Sequence, residues 1–361
     1  MVKIRLLKKI LTNLGISLLS FLILFVLLEL GFRLTEKLSA PEDPSQIWAI
    51  YDRDLGYRLR PNFADFNEYG LRDDPIDSRK TKFRLLLLGD SVPFYGDNLD
   101  DTYPGRLETI INNDSQLVAT EVINAGIKGY TTYQELLYLK KYGLAFNPDL
   151  VCISFVLNDL HKFLHQFVVE NGEIVGENYV FSETAVQTVK NPLYQLARKS
   201  HFLVWLRHQL SIFDTLIEFK TSNGFTFDYR PDFNTAWKDK PWEYINTYFS
   251  EFGKLSNEHD FKVFVVVFPF GEQLREEYLE RDYEYVTKPQ RKLKKICAEF
   301  DIPLLDLLNE IDPETHLLED QIHLTRQGRQ IAAHKIAQFL KTKQLIPTNS
   351  NINSMTSHHQ Q

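Results

Sequence analysis

The chain of 361 residues is 43% hydrophobic and 25% charged, with a formal net charge of −7. Those proportions provide a sizeable core and fit one domain with insertions better than two full ones. The negative balance, with no long basic run in the body of the chain, speaks against a nucleic-acid partner.

Lys3, Arg5, Lys8 and Lys9 precede an apolar run at residues 10–30, and residues 14–28 carry no ionisable group. About 20 helical residues rise roughly 30 Å, the thickness of a bilayer core. The run is apolar on nearly every face, which argues against a helix buried in a soluble domain. It is therefore expected to be a transmembrane anchor. The cations before it predict a cytoplasmic N-terminus (residues 1–9) and a catalytic part on the extracytoplasmic, periplasmic side. A cleaved signal peptide is the competing reading. Leu38, two positions before Ala40, with Pro41 after it, makes a poor cleavage site, and the run exceeds a usual signal core.

Residues 31–82 are polar but rich in recurring Tyr, Phe and Leu, and are expected to pack on the domain as a lead-in. A strand–helix alternation follows. Apolar runs at 83–88, 118–124, 150–157, 261–268 and 302–307 predict five strands, the first interrupted only by Arg84. Between and after them, helices are expected at 103–112, at 132–142 behind a Thr132–Glu135 capping box, at 291–300, and at 326–341 with Thr325 as N-cap. The pattern predicts a three-layer α/β/α domain over residues 83–343, built on a five-stranded parallel sheet. Residues 160–260, between strands three and four, are too many for a plain crossover. Amphipathic stretches at 192–219 and 242–255 predict a helical insertion there, shaping the substrate entrance. Residues 344–361 are expected to be a disordered tail.

Cys152 and Cys297 fall in a strand-like and a helical run and are expected to be buried free thiols. No group of residues has metal-ligand spacing, and no cofactor is expected. His161 and His165, four apart, lack the Glu that a zinc-protease helix places beside its histidines. Trp205 and Trp242 fit core positions better than a substrate site, and His358 and His359 fall in the polar tail.

In open α/β sheets, sites form at the carboxyl ends of strands. Here those ends read Gly89-Asp90-Ser91, Asn124-Ala125-Gly126 and Asn158-Asp159, and Asp320-Gln321-Ile322-His323 precedes the last helix. Each piece suits acyl transfer. A serine hydroxyl needs a base to become a nucleophile, and histidine supplies one near neutral pH. An aspartate three residues before that histidine holds its tautomer, with Glu319 as the adjacent alternative. The backbone N–H groups of Ser91 and Gly126 and the side-chain amide of Asn158 are candidate oxyanion donors, glycine leaving the backbone approachable. Asp90 and Asp159 fit turn or capping roles.

These four pieces, in this order, resemble the four signature blocks of the SGNH (GDSL-like) hydrolases. The resemblance covers roughly residues 83–340, insertion excepted. It implies a flavodoxin-like fold, Ser91 as nucleophile, Asp320 and His323 as its partners, and Ser91, Gly126 and Asn158 as the oxyanion hole. Val156 departs from the pattern, standing where the third block usually has glycine. The lead-in piece Gly70-Leu71-Arg72-Asp73 is similar to that of anchored bacterial members. The family implies an esterase acting on acyl esters, O-acetyl groups of a surface glycan or lipid among them. Two alternatives stay open: an O-acyltransferase working with a membrane acyl-donor partner on an exported polysaccharide, and a non-catalytic envelope assembly factor.

Overall fold

The computed structural model describes residues 2–39, 47–170, 172–179, 200, 202–203, 205–206, 225–230 and 232–350. The chain divides into two compact units: Met1–Gln46 with Glu183–Gly224, and Ile47–Ser182 with Phe225–Gln361.

The first unit is dominated by helix α1 (Val2–Ser39). Its stretch Thr12–Leu34, 23 residues with a mean hydropathy of 2.4 over the most apolar 18, is the one helix among the described residues long and apolar enough to cross a membrane. It encloses most of the expected span 10–30. The amphipathic stretch expected at 192–219 lies outside the described residues apart from positions 200, 202–203 and 205–206.

The second unit holds the sheet. Its strands are β3 (Phe83–Gly89), β4 (Thr120–Gly126), β5 (Leu150–Phe155), β8 (Lys262–Val267) and β9 (Leu304–Asp306). They lie in the order β4-β3-β5-β8-β9, all parallel. That is the flavodoxin-like order, whose crevice opens where the chain reverses direction, between β3 and β5. The middle strands read as nearly unbroken apolar runs because helices cover both faces. Leu85, Leu86, Leu87, Leu88, Val265, Val266 and Val267 have no exposed surface. Helix α3 (Tyr103–Asn113) packs with α8 (Arg326–Thr342), and α4 (Thr132–Lys141) packs with α5 (Pro241–His259) and the sheet. The right-handed crossovers from β3 to β4 and from β4 to β5 run in opposite directions, so α3 and α4 cover opposite faces. Helices α6 (Glu276–Val286) and α7 (Lys288–Glu299) complete the β8–β9 crossover.

Two polar features of the sheet have physical explanations. Arg84, the charge in β3, is buried, pairs with Glu121 at 2.7 Å and donates to the Phe146 and Asp77 carbonyls. At the open edge, β4 has its outward N–H groups capped by side chains. Asn112 Oδ1 takes Thr120 N–H, Glu108 takes Val122 N–H, and Asp73 takes Asn124 N–H, at 2.8–2.9 Å. An edge so satisfied offers no template for another strand.

The lead-in contains a hairpin, β1 (Ala49–Asp52) with β2 (Gly56–Leu59), and its Tyr57, Leu59 and Leu71 are fully buried. Three expectations need correction. The insertion opens with an antiparallel hairpin, β6 (His165–Glu170) with β7 (Glu173–Tyr179), so it is not wholly helical and His161 and His165 share no helix face. Helix α4 is capped at Thr131, with no side-chain cap bond, because Thr132 and Glu135 are both buried and turn inward. The tail expected from residue 344 stays on the domain through residue 350. Leu345 and Ile346 are buried, Thr348 bridges to Leu117, and Val118 N–H donates to the Pro347 carbonyl, so the segment is held beside the residues that lead into β4. Residues 351–361 lie outside the described residues. Both cysteines are buried and free.

Candidate active site

Strand β3 ends at Gly89, level with Gly126 of β4 and Ser154 of β5, and the chain turns at once into the short helix α2 (Ser91–Phe94). Asp90 is its N-cap, accepting Val92 N–H at 2.8 Å. The helix must lie close over the strand ends. A Cβ at Gly89 would fall 2.7 Å from Pro93 Cγ, and one at Gly126 would fall 2.6 Å from the same atom. Glycine at both positions makes room for Pro93. The reason differs from the oxyanion access expected of Gly126.

Far along the sequence, the turn before α8 delivers the imidazole. Asp320 Oδ1 accepts the N–H groups of Ile322 and His323, and Gln321 takes a left-handed conformation between them (φ 64°). The same carboxylate's Oδ2 lies 2.6 Å from His323 Nδ1, and His323 Nε2 lies 2.8 Å from Ser91 Oγ. With Nδ1 protonated toward the carboxylate, Nε2 keeps a lone pair for the serine hydroxyl. Partial burial works against ionisation of Asp320, but the bonds from His323 and Ile322 outweigh it and hold the carboxyl below its usual range. The Tyr95 ring stands edge-on to the imidazole at 4.5 Å. The His323 side chain is 20% exposed, so solvent reaches the dyad.

Of the expected oxyanion donors, Asn158 follows β5 beside Asp90, to which its side chain is hydrogen-bonded. An amide has two N–H groups, so the bond to Asp90 occupies only one of them. Gly126 N–H is engaged with Asn124 Oδ1 at 3.0 Å, and Ser91 N–H leans on Asp90. The departure at Val156 is absorbed locally: Val156 and Asp159 exchange bonds of 3.0 Å, from Val156 N–H to the Asp159 carboxylate and from Asp159 N–H to the Val156 carbonyl. Asp90, Glu135 and Asp159 are all buried, and desolvation pushes each carboxyl above its ordinary range. Glu319 makes no bond to His323; Asp320 does. His161 bonds the Asp232 carbonyl at 3.1 Å, and among the described residues no cluster of His, Cys, Asp or Glu is arranged to hold a metal. Trp242 is buried in the core, while Trp205 is 43% exposed and belongs to the first unit.

The sequence alone gives no role to the residues that hold the Ser91 turn from behind. Arg72, 9% exposed, donates to the carbonyls of Phe94 (2.6 Å) and Gly96 (3.0 Å) and pairs with Asp65. Asn124 Nδ2 donates to the Pro93 carbonyl at 3.0 Å. Between them they satisfy the carbonyl end of α2, which is too short to satisfy itself. The Gly70-Leu71-Arg72-Asp73 piece is thus a strut, with Asp73 on β4 and Arg72 on α2. Its only signal in the sequence was the resemblance of that piece to other chains.

Residues 85–336, more than two thirds of the chain, match the GDSL-like lipase/acylhydrolase family. No protein of curated function matches. Similar solved structures include that of TesA (13% identity, 72% of this chain and 98% of that one, TM-score 0.43). Others are a lipase/acylhydrolase from Enterococcus faecalis (16%, 72% and 96%, TM-score 0.39) and the acetyl xylan esterase AlAXEase (16%, 70% and 97%, TM-score 0.40). The chain belongs to the SGNH, or GDSL-like, lipase/acylhydrolase family and is a serine ester hydrolase.

Proposed function

We propose that the protein cleaves O-acyl esters through Ser91, His323 and Asp320, from the outer side of a membrane to which α1 anchors it. The observation that carries this reading is the unbroken line from Ser91 Oγ to His323 Nε2 (2.8 Å) and from His323 Nδ1 to Asp320 (2.6 Å). His323 takes the hydroxyl proton as Ser91 Oγ bonds the acyl carbon. Asp320 stabilises the imidazolium, which then protonates the departing alcohol. Water, activated by the same imidazole, attacks the acyl-serine and releases the acid. Asn158 meets the oxyanion with its second amide N–H, joined by Ser91 N–H, and Gly126 N–H contributes once Asn124 releases it. The solvent-reached imidazole supports hydrolysis over transfer to a sugar hydroxyl. The cations in the first turns of α1, ahead of its 23-residue apolar span, support anchoring with the N-terminus in the cytoplasm. On that side the available esters are those of a cell-surface glycan or lipid.

A fluorophosphonate probe tests the assignment. It should modify Ser91 alone, His323→Ala should nearly abolish labelling, and Asp320→Asn should weaken it less, because the imidazole remains but is no longer held. Adducts on another serine with Ser91 untouched would refute it. Product analysis of an acylated glycan, with and without a sugar acceptor, separates hydrolysis from transfer.

A further inference from the structure

Helix α1 is not uniform around its circumference. Leu22, Ile23, Leu24, Val26, Leu27 and Leu30 are 51–61% exposed. Phe25, Leu28, Glu29 and Phe32, a stripe at helical spacing, are half-buried. What covers the stripe is a segment of the same unit some 170 residues further along. Phe202 meets Phe25 (5.7 Å, edge-on) and Phe32 (6.1 Å), and Trp205 meets Phe32 (5.2 Å). Glu29 lies at the centre. Its Oε2 accepts the Ser200 hydroxyl (2.7 Å) and Phe202 N–H (3.1 Å), while Oε1 accepts from Arg33 (2.7 Å). Ser200 Oγ in turn accepts Leu203 N–H at 3.1 Å. The one acid in the apolar span thus caps the helical turn that follows Ser200, and its charge is balanced by Arg33 one turn on.

Depth fixes what lies around this contact. Glu29 is about 25 Å along the helix from Thr12, near the far edge of a hydrocarbon core of about 30 Å. A carboxylate is costly in that core unless paired, and aromatic side chains collect at its boundary. We infer that the segment at Ser200–Leu206 is a second membrane-surface element, seated on the anchor helix by Glu29 and presenting Trp205, 43% exposed, to the lipid headgroup region. The inference rests on α1 being retained as an anchor. The chain leaves the catalytic unit after Ser182 and returns at Phe225, so such an element attaches that unit to the bilayer a second time.

The test uses the full chain in vesicles of phosphatidylethanolamine and phosphatidylglycerol, with acyl chains brominated next to the headgroup in one set. Trp205 is one of four tryptophans. Bromolipid should quench up to about a quarter of the emission, and Trp205→Phe should abolish that part. Glu29→Ala should at least halve it and speed proteolysis near Ser200, whereas Glu29→Gln, which keeps an acceptor oxygen, should restore most of both. Turnover of a soluble ester should be unchanged in all three variants. Equal quenching in the wild type and Trp205→Phe would overturn the inference. So would a mature chain lacking its first forty residues by mass spectrometry, a result that removes the anchor while leaving Ser91 labelling intact.

Discussion

Replacing Gly126 by alanine tests how Ser91 is placed. The added Cβ would lie 2.6 Å from Pro93 Cγ and 3.0 Å from both Pro93 Cβ and Asn124 Oδ1, the first about 0.8 Å short of ordinary contact at 3.4 Å. Proline's ring cannot rotate away, and Pro93 is buried in α2, two residues from Ser91. The strain must therefore pass into the backbone that sets the 2.8 Å approach of Ser91 to His323. A displacement approaching 1 Å costs roughly 10²-fold in rate, and overpacking destabilises by about 1–3 kcal/mol. Gly126→Ala should accordingly lower kcat toward a small chromogenic ester by about 10–100-fold and reduce Tm by several degrees. Gly253→Ala is the control. It lies in α5 with nothing within 4 Å of its Cβ and should raise Tm slightly with kcat intact. A Gly126→Ala enzyme within threefold of the wild type, at unchanged Tm, would refute the reasoning that Pro93 dictates glycine there.

Asn158→Ala should lower kcat by roughly two to three orders of magnitude with little change in Tm, measured on the same ester; a loss under about threefold would leave Asn158 only its bond to Asp90. Arg72→Ala removes two charge-assisted bonds from the end of α2 and should destabilise by on the order of 3 kcal/mol in denaturant unfolding, with kcat falling more than KM rises. Arg72→Lys, lacking the planar fork, should recover only part of both. Acid unfolding should report Asp52. Burial opposes its ionisation, but bonds from Tyr142, Lys141 and the Leu55 and Asp54 amides outweigh it and lower its pKa from 3.8 to about 2. The folded pKa is the lower one, so the stabilisation is present above the unfolded value and is lost as pH falls from about 4 through 2. Asp52→Asn should flatten the stability profile across that window, and an unchanged slope would show that the pair contributes nothing there.

The sheet was legible because parallel strands buried on both faces leave a signal that survives in one dimension. The apolar runs at 83–88, 150–157 and 261–268 overlap β3, β5 and β8 closely. Side-chain capping was read less evenly. Thr325 accepts Gly328 N–H as expected of an N-cap, whereas Thr132 and Glu135 face inward because α4 is covered on the side where they stand. Hairpin β6–β7 was missed because its residues alternate weakly and sat within a stretch read as helical.

The sequence by itself determined which residue types stand at the strand ends, and through them the family, since Ser91, Asn158 and the Asp320–His323 pair lie in short local pieces at fixed places along the chain. It also determined a helix long and apolar enough to cross a membrane, because residues 14–28 carry no ionisable group. Only the tertiary structure decided how the pieces meet. That Gly126 yields to Pro93, that Arg72 grips the end of α2, and that Glu29 caps a turn 171 residues away are contacts between groups distant in sequence. Such contacts depend on the three-dimensional path of the backbone, and no local periodicity or spacing records them.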